Sequence, residues 1–471
     1  MQLRKQRAGG RRLRPVLLAL LTAACVMSHA VPAYAAGEVG TDYIVKYKES
    51  AAWSAEDGAP FDVVSGAEMK RLRAAGLLEW YEPDGEGVLL EGGAAPAGSA
   101  YYESYQWNLE AIGADAAFAA GHLGRGVRVG VVDSGVNPHP DLAARLLDGH
   151  DYMEDAADAA DTSDRYGHGT RVAGLIAGAG PGGYVGVAPM AEIVPLKVTD
   201  GKTIRVSAVC RAIYGGIDDY GCSVLNLSLG VSDDYQSLRE AVEYAEQRGV
   251  TVVAAVGNTG QGTAYYPASY DTVIGVGSVD QNLNISARSN RNESVFLTAP
   301  GVGVRSTAAA GGYTLSSGTS FAVPQVSGAA AVMLGIDGTL TAAQIRETLA
   351  QTARDLGPAG YDEAYGSGLL SVAGIVAALP ETGAAEEIVS RTPCAFTSES
   401  TLRNCTDAPI DLTYLLAEYD ETGRCTGARR WQFTVPAQGS VRIEPPGENG
   451  KYGQFVWETA TMMPLTAARK G

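Results

Sequence analysis

The feature that most constrains the fold is an alternation of short apolar runs with helical patterns between residues 106 and 379. The apolar runs are rich in valine and isoleucine, which is typical of strands buried on both faces. The predicted strands are 127–132, 192–198, 224–229, 250–256 and 272–276, and the predicted helices are 168–179, 206–219 and 235–248. This order predicts an α/β fold, a parallel sheet flanked by helices.

The two flanks of this region differ from it in pattern. Residues 36–104 begin with a strand-like run at 43–48, continue with a helix at 67–75 and end in an exposed Gly/Ala/Pro stretch, which predicts a small α+β unit. Strand patterns separated by Gly and Pro follow a linker at 381–392, which predicts a β-sandwich-like, all-β domain over 393–471. The expected α/β domain is therefore 105–380.

The first 35 residues have the pattern of a secretory signal peptide. A basic stretch precedes an apolar run from Pro15 to about Met27, and Ala33-Tyr34-Ala35 offers a small-x-small cleavage site. The apolar run is shorter than the roughly 20 residues that a bilayer needs, so stable membrane insertion is not expected. Secretion is the expectation, with the twin-arginine route left open by Arg11-Arg12.

The composition is that of an acidic globular protein. The chain has 471 residues, 46% hydrophobic and 19% charged, with 36 Lys+Arg against 53 Asp+Glu. A surface this negative repels phosphate backbones, which argues against nucleic-acid binding.

Two cysteines of the central region are expected to be buried free thiols. Cys210 lies early in a predicted helix and Cys222 just past its end, so their separation should exceed the roughly 7 Å that a disulfide allows. The other mature cysteines, Cys394, Cys405 and Cys425, can form at most one bridge among themselves.

Three polar residues stand in glycine-rich contexts at the ends of predicted elements. Asp133 follows a buried strand, His168 opens a helix within Gly167-His-Gly-Thr170, and Ser320 precedes Pro324 near the start of another helix. Proline is tolerated only in the first helical turn, so Ser320 should lie at a helix N-terminus, where backbone N–H groups favour negative charge. Each residue alone would be read as a cap or turn residue.

Taken together and in this order, the three segments resemble the Asp, His and Ser boxes of the subtilisin-like serine proteases. The resemblance covers about 106–379. It implies hydrolysis of peptide bonds through an acyl-enzyme, with Ser320 as nucleophile, His168 as general base and Asp133 orienting the imidazole. Asn258 matches the asparagine that stabilises the oxyanion in the family.

The resemblance also implies how polypeptide substrates bind. Ser228-Leu229-Gly230 is similar to the edge strand to which an extended peptide adds, and Ala255-Val256-Gly257 would complete the specificity pocket. Tyr265 stands where relatives usually carry a small residue, so a shallow pocket for small side chains is expected. Arg171 and Gln325 stand where many relatives have histidine.

No cofactor is expected to be required, and calcium is left open as a structural ion. Asp141 and Gln106 match positions that bind calcium in many relatives, but the loop at 179–183 contributes no side-chain oxygen.

Residues 36–104 are similar to the inhibitor-type propeptides of the family. The resemblance implies a proenzyme that is cut in the 92–100 stretch and is inhibited by its own propeptide until then.

Two alternative functions are a narrow-specificity processing protease and a binding or adhesion protein with a vestigial protease domain. Leu379-Pro-Glu-Thr-Gly383 spells a sortase signal, but a predicted β domain rather than an apolar span follows it, so an extracellular protein is favoured over an anchored one.

Overall fold

A computed structural model describes residues 42–48, 59–91, 106–153, 156–179 and 184–379, together with the strands between 394 and 470. The expected signal peptide (1–35) and the linker (381–392) lie outside the described residues.

Residues 42–48 and 59–91 form a small unit of antiparallel strands and one helix. Its elements are β1 (Asp42–Tyr47), β2 (Asp62–Ser65), α1 (Gly66–Ala74), β3 (Leu78–Pro83) and β4 (Glu86–Leu89). The sheet order is β2-β1-β3, and α1 begins where Ser65 Oγ accepts a hydrogen bond from Glu68 N (3.3 Å). Met69 and Leu72 of α1 pack on Tyr43 and Val45 of β1, which closes a small core between helix and sheet.

The central region carries the larger fold. Its first half contains α2 (Trp107–Ile112), α3 (Asp115–Ala120), β5 (Arg128–Asp133), β6 (His150–Asp151), α4 (His168–Ala177), β7 (Glu192–Lys197), β8 (Ile204–Arg205), α5 (Val206–Asp218), β9 (Val224–Leu227) and β10 (Leu229–Gly230). Its second half contains α6 (Gln236–Gln247), β11 (Thr251–Ala255), β12 (Ile274–Val279), β13 (Leu297–Pro300), β14 (Val304–Thr307), β15 (Tyr313–Ser316), α7 (Val323–Ile336), α8 (Ala342–Thr352) and α9 (Val372–Ala378).

A seven-stranded parallel sheet organises this region, in the order β13-β12-β11-β9-β5-β7-β6. The predicted α/β class is therefore confirmed. The predicted strands and helices of the central region are present, with most ends displaced by no more than two residues. Two strands differ more: the strand predicted at 224–229 is interrupted at Ser228, and β12 extends to Val279 rather than ending at residue 276. The sequence pattern missed β6, which has two residues, and β13, which ends in Pro300. Both are too short for periodicity to identify.

The helix that follows Ser320 runs through the middle of the core. The stretch Thr319–Ile336 is long and apolar enough to cross a membrane by composition alone, but 83% of it is buried inside the protein. Small side chains at Ala329, Ala330 and Ala331 let it pack closely against the sheet. It is the central core helix of the α/β fold.

The N-terminal unit docks on the central region through two carboxylates at helix N-termini. Glu82 accepts hydrogen bonds from Gln236 N (2.9 Å) and Ser237 N (2.8 Å) at the start of α6. Asp84 accepts from Ser207 N (2.9 Å) and Ser207 Oγ (2.6 Å) at the start of α5. Burial raises the pKa of the Glu82 carboxyl, while its hydrogen bonds with Ser237 and Gln236 lower it. Each carboxylate satisfies N–H groups that a helix start leaves open.

Cys210 and Cys222 are both free and buried, as the helix geometry predicts. Burial raises the pKa of Cys222 to about 12 and also raises that of Cys210, so neither thiol ionises near neutral pH.

The described residues beyond 393 all lie in strands. They are β16 (Cys394–Ser398), β17 (Thr401–Asn404), β18 (Ile410–Tyr419), β19 (Cys425–Val435), β20 (Ser440–Arg442), β21 (Lys451–Glu458) and β22 (Arg469–Lys470). They form two sheets, β16-β17-β20 and β19-β18-β21-β22. That this region is a separate accessory domain of β-sandwich type stays a prediction.

Replacing Glu82 with alanine should loosen the N-terminal unit on the central region. The change removes the acceptor for two N–H groups of α6, at a cost of about 1–2 kcal/mol. Amide hydrogen exchange of β3 in the intact chain should become about tenfold faster. Glu79→Ala is the matched control, since that side chain is 50% exposed on the same strand. Equal exchange in the two variants would contradict the docking role of Glu82.

Candidate active site

Asp133 and His168 are in direct contact at the carboxyl end of the sheet. His168 Nδ1 lies 2.8 Å from Asp133 Oδ1 and 2.9 Å from Oδ2, and Ser134 N donates to the same carboxylate at 2.7 Å. Both side chains are fully buried. Because the carboxylate accepts at Nδ1, that nitrogen carries a proton and Nε2 is left free to act as a base.

Gly169 allows this close approach of α4 to β5. A side chain there would place its Cβ 2.1 Å from the carbonyl oxygen of Gly135 and 3.2 Å from Asp133 Cβ. Only glycine fits such a position without moving backbone.

Asp164 fixes the loop that carries His168, a role that the sequence analysis missed. Its carboxylate accepts hydrogen bonds from Thr170 N (2.8 Å), Thr170 Oγ1 (2.6 Å), Ser134 Oγ (2.8 Å) and Gly167 N (2.6 Å). It thereby ties the start of α4 to the end of β5. The only sequence signal is an acidic residue four positions before the histidine, which is too common a pattern to single it out.

Ser320 lies in a short 3₁₀ turn, Thr319–Phe321, that leads into α7. The turn packs against the imidazole, with the rings of Phe321 and His168 5.3 Å apart. Ser320 Oγ donates a hydrogen bond to Ser228 O (2.9 Å), and among the described residues His168 Nε2 has no hydrogen-bond partner. The structure thus shows the His–Asp bond formed and the serine hydroxyl turned to the backbone of the edge strand.

Asn258 and the backbone of Ser320 converge on one carbonyl oxygen, that of Leu90. Asn258 Nδ2 donates to Leu90 O, and Ser320 N donates to the same oxygen at 3.4 Å. The amide oxygen of Asn258 accepts from Thr319 N (2.9 Å), which orients its Nδ2. Two N–H donors therefore meet at a peptide carbonyl beside the serine, which is the arrangement that stabilises an oxyanion.

The chain that carries Leu90 enters the site as an added strand. β4 lies between β10 and β8 and is antiparallel to both, with Leu89 opposite Leu229 and Gly87 opposite Ile204. Leu90 N also donates to Ser228 O at 3.2 Å. The edge formed by Ser228, Leu229 and Gly230 thus pairs with an extended segment of the chain itself, and its pairing with a substrate stays a prediction. The second flanking strand, β8, is too short to be recognised from sequence.

The side chain of Leu90 is only 4% exposed and packs in a core cluster that includes Ala255. A Cβ at Gly230 would lie 3.0 Å from Leu90 Cδ1 and 3.1 Å from Tyr265 Cδ1, and one at Gly257 would lie 2.7 Å from Tyr265 Cδ2. Tyr265 therefore lies against these glycines and borders the space that holds Leu90.

This differs from the expected shallow pocket for small residues, because the tyrosine ring lines the pocket beside a leucine and does not block it. Val256 is fully buried and packs in another core cluster, which does not contain Leu90.

The residue after Leu90 contacts a cation beside the imidazole. Glu91 Oε1 pairs with Arg171 Nη2 and lies 3.9 Å from His168 Nε2. Arg171 is one of the departures noted in the sequence, and the structure places it at the site.

The two residues matched to calcium ligands already have hydrogen-bond partners in the structure. The amide of Gln106 is used by Val185, whose N donates to Oε1 (3.0 Å) and whose carbonyl accepts from Nε2 (2.6 Å). Asp141 Oδ2 accepts from Tyr313 OH at 2.5 Å. Within the described ranges no group of three acidic, histidine or cysteine side chains could hold a metal. Calcium as a structural ion at Asp141 and Gln106 therefore stays an expectation of the resemblance.

Comparison with known proteins agrees with this geometry. Residues 124–368 match the model of the family described as Subtilase family. Subtilisin DY of Bacillus licheniformis is 38% identical over 283 residues, covering 57% of this chain and 98% of that protein. Subtilisin Savinase of Lederbergia lenta is 39% identical over 271 residues, covering 57% of this chain and 97% of that protein.

A third relative, the Minor extracellular protease Epr of Bacillus subtilis (strain 168), is 35% identical over 271 residues, which cover 56% of this chain and 41% of that protein. The family match spans the part of the chain that holds Asp133, His168, Asn258 and Ser320. The chain therefore belongs to the subtilase family and is a serine endopeptidase, a hydrolase of peptide bonds.

Proposed function

We propose that the chain is made as a secreted proenzyme that hydrolyses peptide bonds through Asp133, His168, Ser320 and Asn258. The observation that carries this proposal is the carbonyl oxygen of Leu90, which accepts from both Asn258 Nδ2 and Ser320 N. A peptide carbonyl held in this way is polarised for attack by the adjacent serine.

In the first half of the reaction, Ser320 Oγ turns from Ser228 O to His168 Nε2, gives it its proton and adds to the carbonyl carbon. The negative charge that forms on oxygen is stabilised by Asn258 Nδ2 and Ser320 N. Asp133 stabilises the imidazolium. His168 then protonates the leaving nitrogen, the C–N bond breaks, and an acyl-enzyme ester on Ser320 remains.

In the second half, a water molecule gives a proton to His168 and adds to the ester carbonyl. The same two donors stabilise the second tetrahedral species. Collapse returns the proton from His168 to Ser320 Oγ and releases a carboxylic acid. His168 thus accepts and returns one proton in each half, which suits an imidazole near neutral pH.

Residues 42–91 serve, in this proposal, as the intramolecular inhibitor of the proenzyme. Their last strand fills the cleft so that Asp133, His168 and Ser320 are all fully buried. The carboxylates of Glu82 and Asp84 hold the unit on α6 and α5. The bond presented to Ser320 is Leu90–Glu91, upstream of the 92–100 stretch in which the sequence placed the cut, so self-processing begins there.

Extracellular action follows from the predicted signal sequence, and a relative is itself named an extracellular protease. Substrates are polypeptides that lie extended between β8 and β10, as β4 does. Because main-chain pairing is independent of side-chain identity, specificity depends on the residues on either side of the cut bond.

A fluorophosphonate probe should label the processed protein at one site. Labelling requires a serine activated by its base, so Ser320→Ala should abolish it, while Ser232→Ala, which removes an exposed hydroxyl, should leave it intact. Intact mass and gel fluorescence report the result. A folded, processed wild-type protein that took no label would contradict the proposed function.

Asn258→Ala should lower kcat by roughly 10²–10³-fold with little change in KM, the loss known for subtilisin itself when this donor is removed. The reason is that the donor acts most strongly on the charge formed in the transition state. Steady-state kinetics on a peptide substrate measure the effect. Asn292→Ala, which removes an amide bonded to the 262–263 loop, is the control. A rise in KM with kcat unchanged would assign Asn258 to ground-state binding instead.

A further inference from the structure

We propose that Arg171 forms a subsite that selects an acidic residue immediately after the cut bond, so that the preferred substrates are polypeptides with a large aliphatic residue followed by glutamate or aspartate. This inference rests on the proposed function and names the substrate class of that same site.

Arg171 is held in a fixed orientation beside the catalytic pair. Its Nε donates to Gly167 O (2.8 Å), its Nη1 donates to Ser316 Oγ (3.2 Å), and its guanidinium carbon lies 5.2 Å from the centre of the Phe321 ring. Its side chain is only 18% exposed. The remaining Nη2 points to the position that follows the cut bond. A guanidinium held in this way loses little freedom when it binds a carboxylate.

The chain's own Glu91 shows what this subsite accepts. The position of Leu90 O at Asn258 and Ser320 identifies Leu90 as the residue before the cut, and Glu91 as the residue after it. The Glu91 carboxylate pairs with Arg171 Nη2 and keeps 29% of its surface exposed. Its Oε1 lies 3.9 Å from His168 Nε2, so the negative charge also faces the nitrogen that becomes positive during catalysis.

The charge of the whole protein makes this local cation significant. The chain carries a net charge of −17, which disfavours acidic peptides at long range. At short range, a partly buried charge-assisted hydrogen bond outweighs that screened repulsion. A substrate lysine at this position would face the guanidinium with like charge, and a substrate glutamine would offer it only an uncharged acceptor.

The test uses the self-processed enzyme and a set of fluorogenic peptides that copy residues 85–94 and differ only at position 91, where they carry Glu, Gln, Ala or Lys. We expect kcat/KM for the Glu peptide to exceed that for the Gln peptide by about tenfold and that for the Lys peptide by more. Arg171→Gln should remove the difference, and Arg171→Glu should reverse the order of the Glu and Lys peptides.

Arg165→Gln is the matched control, since this arginine lies in the loop just before α4 with its side chain 71% exposed. It should keep the wild-type order. For Arg171→Glu, the compensating Glu91→Lys change in the same chain should restore self-processing. The rate of fluorophosphonate labelling reports whether Ser320 and His168 remain intact in each variant.

Equal kcat/KM for the Glu, Gln and Lys peptides in the wild-type enzyme would overturn the acidic subsite, whatever the variants do. That result would leave the proposed function standing. Peptide-bond hydrolysis by the triad is measured by cleavage of the Gln peptide, which has no acidic residue after the cut bond. A wild-type preference for Glu that persists unchanged in Arg171→Gln would also overturn the assignment to Arg171.

Discussion

The carbonyl oxygen of Leu90, held by Asn258 Nδ2 and Ser320 N, is the contact on which the rest of the structure depends. It brings together the end of β4, the turn before α7 and the segment after β11, which are distant in sequence. Ser228 reinforces the junction, because its Oγ donates to Ser320 O (2.9 Å) and accepts from Asn226 (3.0 Å). Asn226 in turn accepts from Ser327 of α7 (2.9 Å). This buried polar network fixes the donors before any substrate arrives.

The N-terminal unit is held beside that contact by hydrogen bonds to α5 and α6 and by strand pairing with β8 and β10. Glu82 and Asp84 satisfy the starts of α6 and α5, and Glu240 of α6 accepts from Trp80 Nε1 (2.9 Å) and Lys46 (3.0 Å). The strand that follows pairs with two exposed edges. In the proposed function, inhibition and substrate binding therefore use the same strand pairing, and the contact of Glu91 with Arg171 extends it past Leu90.

Much of the fold and of the site could be predicted from sequence, because both depend on local patterns. Valine-rich runs indicate the parallel strands, and the glycine-rich contexts of Asp133, His168 and Ser320 mark the three segments. Contacts between distant segments could not be predicted. Asp164 looks like any turn carboxylate, and the pairing of Glu91 with Arg171 joins residues 80 positions apart. The pocket expectation was drawn from Tyr265 alone, without the direction of its ring against Gly230 and Gly257.

The N-terminal sequence of the first product formed by the purified full-length chain tests the central claim most directly. If Leu90 O marks the reacting carbonyl, the larger product begins at Glu91, and the chain with Ser320→Ala yields no such product. Trimming into the 92–104 stretch would follow only later. A first product that begins beyond residue 100, with no species beginning at Glu91 at any time, would contradict the account.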